Sequence, residues 1–126
     1  GHGMGSFNFD VAETAISGGF TPDTISTDLQ IGHQGAVPQH DLPLVMSKLH
    51  AAGMPAASVF AAVTSTPART LNVDSNTGRL SSGSRADLLI LTSLWNQTLY
   101  DSAGQSRVGA RWTPHLTIRA GRAVPA

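Results

Sequence analysis

Asp28 closes the stretch Asp23-Thr24-Ile25-Ser26-Thr27-Asp28, and five histidines, His2, His33, His40, His50 and His115, add groups that can bind a metal or move a proton. A carboxylate at the end of a strand can do either; it can equally start a turn or cap the next helix. The chain has no cysteine, which removes disulfides, thiolate metal sites and a cysteine nucleophile. Any metal must therefore be held by His, Asp or Glu. Ser26 and Ser65 have no His-Asp partner nearby in sequence, so a serine-nucleophile mechanism finds no support. His33 and His40 lie in a loop, where they are either ligands or, more commonly, surface residues. His50 ends a helix and is expected to face solvent, Lys48 to lie on a solvated helix face, and His115 to be a sheet residue.

These residues need elements to carry them. Gly18-Gly19 and Pro22 break what precedes the Asp28 stretch, and Thr24, Ile25 and Thr27 are β-branched, so a strand ending at Asp28 is predicted. Before it, Asn8 or Ser6 caps a helix over Phe9 to Ser17, with Phe9, Ala12, Ala15 and Ile16 on one face. Beyond it, Leu29 to His40 is a polar loop. Asp41 caps a helix over Leu42 to Ala52, in which Leu42, Val45, Met46 and Leu49 share a face. Pro55 and then Ser65-Thr66-Pro67 open two further helices.

After Asn72 the texture changes to Ser, Gly, Asp and Asn, and the later pattern is strands. Leu88 to Leu91 reads as a short strand buried on both faces, Tyr100 to Gln105 as a loop, and Trp112 to Arg119 as an alternating strand that Ala120-Gly121 turns into Ala123-Val124. The halves 1–72 and 73–126 look like pieces of different cores, α/β and all-β. Trp95 and Trp112 are expected to pack inside the second. A carbohydrate- or peptide-binding β module would instead need both indoles exposed side by side.

The 126 residues suit one ordinary domain. Eight basic residues balance eight acidic ones, so no field gathers phosphate backbones or anionic lipid, and neither nucleic acid nor membrane is an expected partner. No apolar run is long enough to span a bilayer. The start, Gly1-His2-Gly3-Met4-Gly5, lacks the features of a secretion signal and reads as a tag remnant or a chain entered mid-motif; a cytoplasmic location is expected.

Several stretches together resemble one family. They are Gly1-His2-Gly3 with Gly5-Ser6-Phe7, Phe9-Asp10-Val11-Ala12-Glu13, Gly19-Phe20 with Pro22 to Leu29, Asp41-Leu42 with Met46 to Leu49, Thr66-Pro67-Ala68-Arg69, Gly78-Arg79-Leu80, Gly83 with Ala86-Asp87-Leu88, and Gly121-Arg122-Ala123-Val124. Their order and spacing resemble the metal-dependent amidohydrolases, and within them the dihydroorotase-like N-acyl amino acid and ester deacetylases. The resemblance implies the last strands and helices of a (β/α)8 barrel over 1–72, with the seventh strand ending near His2 and the eighth at Asp28, then strands of a small β-sandwich over 73–126. It implies that Asp28 contacts the metal centre and accepts a proton from the attacking water, with His2, Gly3, Gln30 and His33 near substrate.

The resemblance also shows what is missing. The family's His-x-His pair, its carboxylated lysine and two further histidines would lie upstream, and no His-x-His occurs here. Gln30 stands where the family has a histidine. One carboxylate cannot hold a catalytic zinc, which takes about three protein ligands. The complete enzyme is expected to carry one or two zinc ions and this chain alone none, so the chain alone is expected to be inactive. Expected partners are a small-molecule substrate and either the remaining barrel segment or further copies of the chain. The rival reading is a truncated remnant that self-associates through uncovered apolar faces and binds without catalysis.

Overall fold

A computed structural model describes residues 6–33, 35–36 and 40–124. Four helices, α1 (Phe9–Ser17), α2 (Leu42–Ala51), α3 (Ala56–Val63) and α4 (Ser65–Thr70), precede three strands, β1 (Leu88–Tyr100), β2 (Ser106–Arg119) and β3 (Arg122–Val124). A 3-10 turn, Ile31–His33, interrupts the polar loop.

The helix starts follow from their caps. Asn8 accepts a hydrogen bond from Val11 N, and Asp41 from Leu44 N, each satisfying an amide that has no partner within its own helix. The strands form one antiparallel sheet in the order β1-β2-β3. Its register runs from Leu88 opposite Ile118 to Tyr100 opposite Ser106, and it shifts between Ile90 and Leu91 and again between Leu94 and Gln97. The second shift contains Asn96 in the left-handed region, a conformation that Asn tolerates better than most residues. Ala120 and Gly121 both have positive φ and close the tight turn into β3. Gly78 also has positive φ, and a Cβ there would come within 2.6 Å of Ala68 Cβ, so only glycine lets this turn lie against α4.

Helix α2 packs against β2 and is buried from Pro43 to Lys48. Ser47 is central to that contact: its hydroxyl donates to Pro43 O at 2.7 Å and accepts Trp112 N at 2.8 Å. A strand amide beside the register shift is thus satisfied by a helix side chain. Phe7, Phe9, Leu44, Ala52 and Leu99 form one apolar cluster, and Met46, Met54, Val59, Ala62 and Trp112 a second. Both clusters draw residues from either side of Asn72.

Several expectations need correction. Asp23 to Asp28 is not a strand: Asp23 and Thr24 lie in a bend and 25–30 has no regular element, although Ile25 N donates to Ala62 O. β-Branched residues favour extended backbone, but a strand also needs a neighbour, and the described sheet lies elsewhere. The strand over Leu88 to Leu91 extends to Tyr100, and Leu89 and Ile90 are 48% and 45% exposed rather than buried on both faces. Lys48 is buried, not solvated. His50 is half-buried, stacks on Trp112 at 5.2 Å and donates from Nδ1 to the Met54 carbonyl. Trp112 packs inside as expected, but Trp95 is 72% exposed. The paired-indole platform of a binding module is therefore ruled out. Among the described residues there is no parallel strand pair and no second sheet.

Candidate functional site

Asp28 is exposed and adopts φ +53°. That left-handed conformation costs most residues free energy, and Asp and Asn are among the few side chains that tolerate it. The neighbouring amide of Leu29 donates to Thr27 Oγ1 at 3.2 Å, so the Asp28 carboxylate is not needed to satisfy it. Gln30 is exposed two residues further on, and His33 ends the 3-10 turn. His2 and Gly3 lie outside the described residues. Asp28 and Gln30 thus share one short surface segment, which follows α1 and its closing Gly18-Gly19 pair and runs into the backbone turn that His33 ends.

Among the described residues, no group of three His, Asp or Glu side chains converges to hold a metal. Asp28 alone does not fit such a centre, which needs further ligands and an open position. The chemistry it offers by itself is that of an accessible carboxylate, a proton acceptor or an anionic anchor.

A second polar constellation went unnoticed in the sequence. Asp101, in the turn between β1 and β2, accepts Ala103 N and Gln105 N on Oδ1 and Phe9 N on Oδ2. Burial opposes ionisation of this carboxyl, but the amides of Phe9, Gln105 and Ala103 and the charge of Lys48 hold it below the usual carboxylate range. Ser102 donates from both N and Oγ to Phe7 O. Beside them Arg107 forks onto Glu13, at 2.8 Å to Oε2, and reaches Asp10 at 3.2 Å. Its hydrogen bond holds Glu13 below its ordinary value, against burial, and Glu13 in turn raises Arg107. The only cue to this network in the sequence was an Asp-Ser pair in a turn, which is common where nothing is bound at all.

A profile of the amidohydrolase family matches residues 8–124, nearly the full chain. The chain belongs to the amidohydrolase family. A relative named deacetylase, from Brucella anthropi, is 49% identical over 90 residues, covering 71% of this amidohydrolase chain and 22% of its own length. Among solved structures, an adenine deaminase superposes over the whole chain with a TM-score of 0.86 at 37% identity, and a dihydroorotase with 0.83 at 38%. These superpositions cover 34% and 33% of the two longer chains. This amidohydrolase chain therefore spans about a fifth to a third of the length of the relatives it matches.

Proposed function

We propose that this chain is the C-terminal portion of a metal-dependent amidohydrolase that cleaves a small N-acyl or O-acyl compound. Residues 1–72 are read as the end of its barrel and 73–126 as strands of its small β-sandwich. The observation that carries this reading is the family match over residues 8–124, joined by a relative named deacetylase and a dihydroorotase neighbour. The left-handed, solvent-facing carboxylate of Asp28 supports the choice of proton carrier.

In this reading Asp28 takes a proton from the water that attacks the acyl carbon. It returns that proton to the leaving nitrogen or oxygen as the acyl bond breaks, giving a carboxylic acid and an amine or alcohol. His2, Gly3, Gln30 and His33 contact the substrate. Zinc, one ion or two, belongs to the complete enzyme, because the described residues supply too few ligands; the chain by itself is inactive. The complete enzyme works in the cytoplasm on a small-molecule substrate.

The test is Asp28→Asn in the full-length enzyme, assayed against N-acetyl amino acids and acetate esters. Asn keeps the left-handed backbone and removes the proton acceptor. The expected result is a loss of about 10²- to 10⁴-fold in kcat with an unchanged melting temperature. A variant within twofold of the parent on every hydrolysed substrate would overturn the assignment.

The second reading, a self-associating remnant without catalysis, draws on exposed apolar residues such as Phe20, Ile31 and Leu80.

A further inference from the structure

We propose that Thr27 is a positioning residue for Asp28. Its hydroxyl accepts the Leu29 amide and so closes a turn that fixes the left-handed backbone from which the Asp28 carboxylate is presented. The inference rests on the reading of Asp28 as proton carrier.

The segment is first tied to the body of the molecule. Ile25 N donates to Ala62 O at 3.1 Å. Ala62 lies in the last turn of α3, where a carbonyl has no amide partner within the helix, so the bond satisfies a group on each side. Ala62 is buried, and the Ile25 side chain packs against the apolar cluster of Met46, Val59 and Trp112. Backbone and side chain therefore both hold Ile25. Only Ser26 and Thr27 separate this fixed point from Asp28.

Thr27, half-buried, then bends the chain. Leu29 N donates to Thr27 Oγ1 at 3.2 Å, and the ring so closed contains the backbone of Asp28 at φ +53°. A hydroxyl that accepts the amide two residues on imitates a β-turn, in which the enclosed residue can take positive φ. Left-handed backbone crowds Cβ against the following carbonyl, and the hydrogen bond offsets part of that cost. Without it, the β-branched residues Thr24, Ile25 and Thr27 favour an extended path through Asp28. The run Thr27-Asp28-Leu29 fits either path; the anchor at Ile25 sets where on the molecule the turn stands. The direction of the Asp28 side chain follows from φ, so a change to extended backbone would swing the carboxylate to another side of the chain. Misplacing a reacting group by about 1 Å can cost on the order of 10²-fold in activity.

A turn of this kind also serves chain reversal alone, and kinetics separates the two roles. The experiment uses the full-length enzyme and its best substrate among the N-acetyl amino acids and acetate esters. Thr27→Val keeps the shape and removes the acceptor, whereas Thr27→Ser keeps the hydroxyl and removes the methyl group. Positioning predicts that Thr27→Val lowers kcat about ten- to a hundred-fold with KM within about threefold, and that Thr27→Ser stays within about threefold of the parent. When Asp28 is already Asn, Thr27→Val should cost less than about twofold further. In a crystal structure of the Thr27→Val enzyme, Asp28 should leave the left-handed region. The positioning role is overturned by a Thr27→Val enzyme with parental kcat, by equal losses in the Val and Ser variants, by a loss that persists undiminished beside Asp28→Asn, or by an Asp28 that keeps its left-handed φ. Parental kcat in Asp28→Asn alone would instead remove the proton carrier, and the inference would fall with it. Should Thr27→Val fail to fold, Thr27→Ala removes the same acceptor and is judged by the same outcomes.

Discussion

Lys48 lies at the start of the last turn of α2 with 8% of its surface exposed, against the Phe7 ring and near Asp101. Burial pulls its ammonium below the ordinary lysine value, and Asp101 opposes the pull only in part. The sign of the consequence follows by linkage. Between the depressed folded value and the unfolded one near about 10.4, the unfolded chain binds a proton that the native chain has released, so stability rises with pH through that window. Below the window both states are charged and the cost of burying the ammonium is fully present. Lys48→Met removes this titration. In urea titrations from pH 7 to the lysine range, the difference in unfolding free energy between parent and variant should shift in the parent's favour as pH rises. A difference that stays constant across the range would show that Lys48 keeps its ordinary proton affinity in the folded chain.

At the level of elements, what joins helix to sheet is the Ser47 hydroxyl, because the Trp112 amide beside the register shift has turned to it. Ser47→Ala leaves that buried N–H without its partner, and the expected loss is about 1–3 kcal/mol of unfolding free energy, read by urea denaturation. A loss below about 0.5 kcal/mol would mean that the amide finds another acceptor. The same contact explains what the sequence could and could not disclose. Helices α1 and α2 were legible because Asn8 and Asp41 stand directly before apolar residues at helical spacing. The turn at Ala120-Gly121 was legible because its glycine accepts positive φ freely; the positive φ of Ala120 was not. The length of β1 was not, because Asn96 and a double shift of register erase its alternation. Nor was the burial of Lys48, since the covering residues Phe7 and Asp101 are far away in sequence. Asp28 was singled out by its type and place; its left-handed backbone, and the absence of a strand ladder before it, depend on neighbours that no local pattern encodes.

For the whole molecule, the balance between covered and uncovered apolar surface is the governing fact. Phe20, Ile31, Leu71, Leu80 and Trp95 are all exposed, and an apolar groove of about 810 Å³ opens between α2, α3 and the segment leading into β1. Leu42, Met46, Phe60, Val63, Leu88 and Leu91 line it. The solved neighbours carry the same fold inside chains about three times as long. Surface of this kind on a soluble chain drives association when its covering partner is missing. Residues 1–126 expressed by themselves should therefore self-associate, with a sedimentation coefficient that climbs across micromolar concentrations and strong binding of a hydrophobic dye. The full-length protein should show neither at the same concentrations if, as proposed, residues outside this chain cover those faces. A concentration-independent species of 13.1 kDa with no dye binding would mean that the apolar faces are tolerated in water. The reading of this chain as part of a larger core would then lose its physical support, although its family would stand.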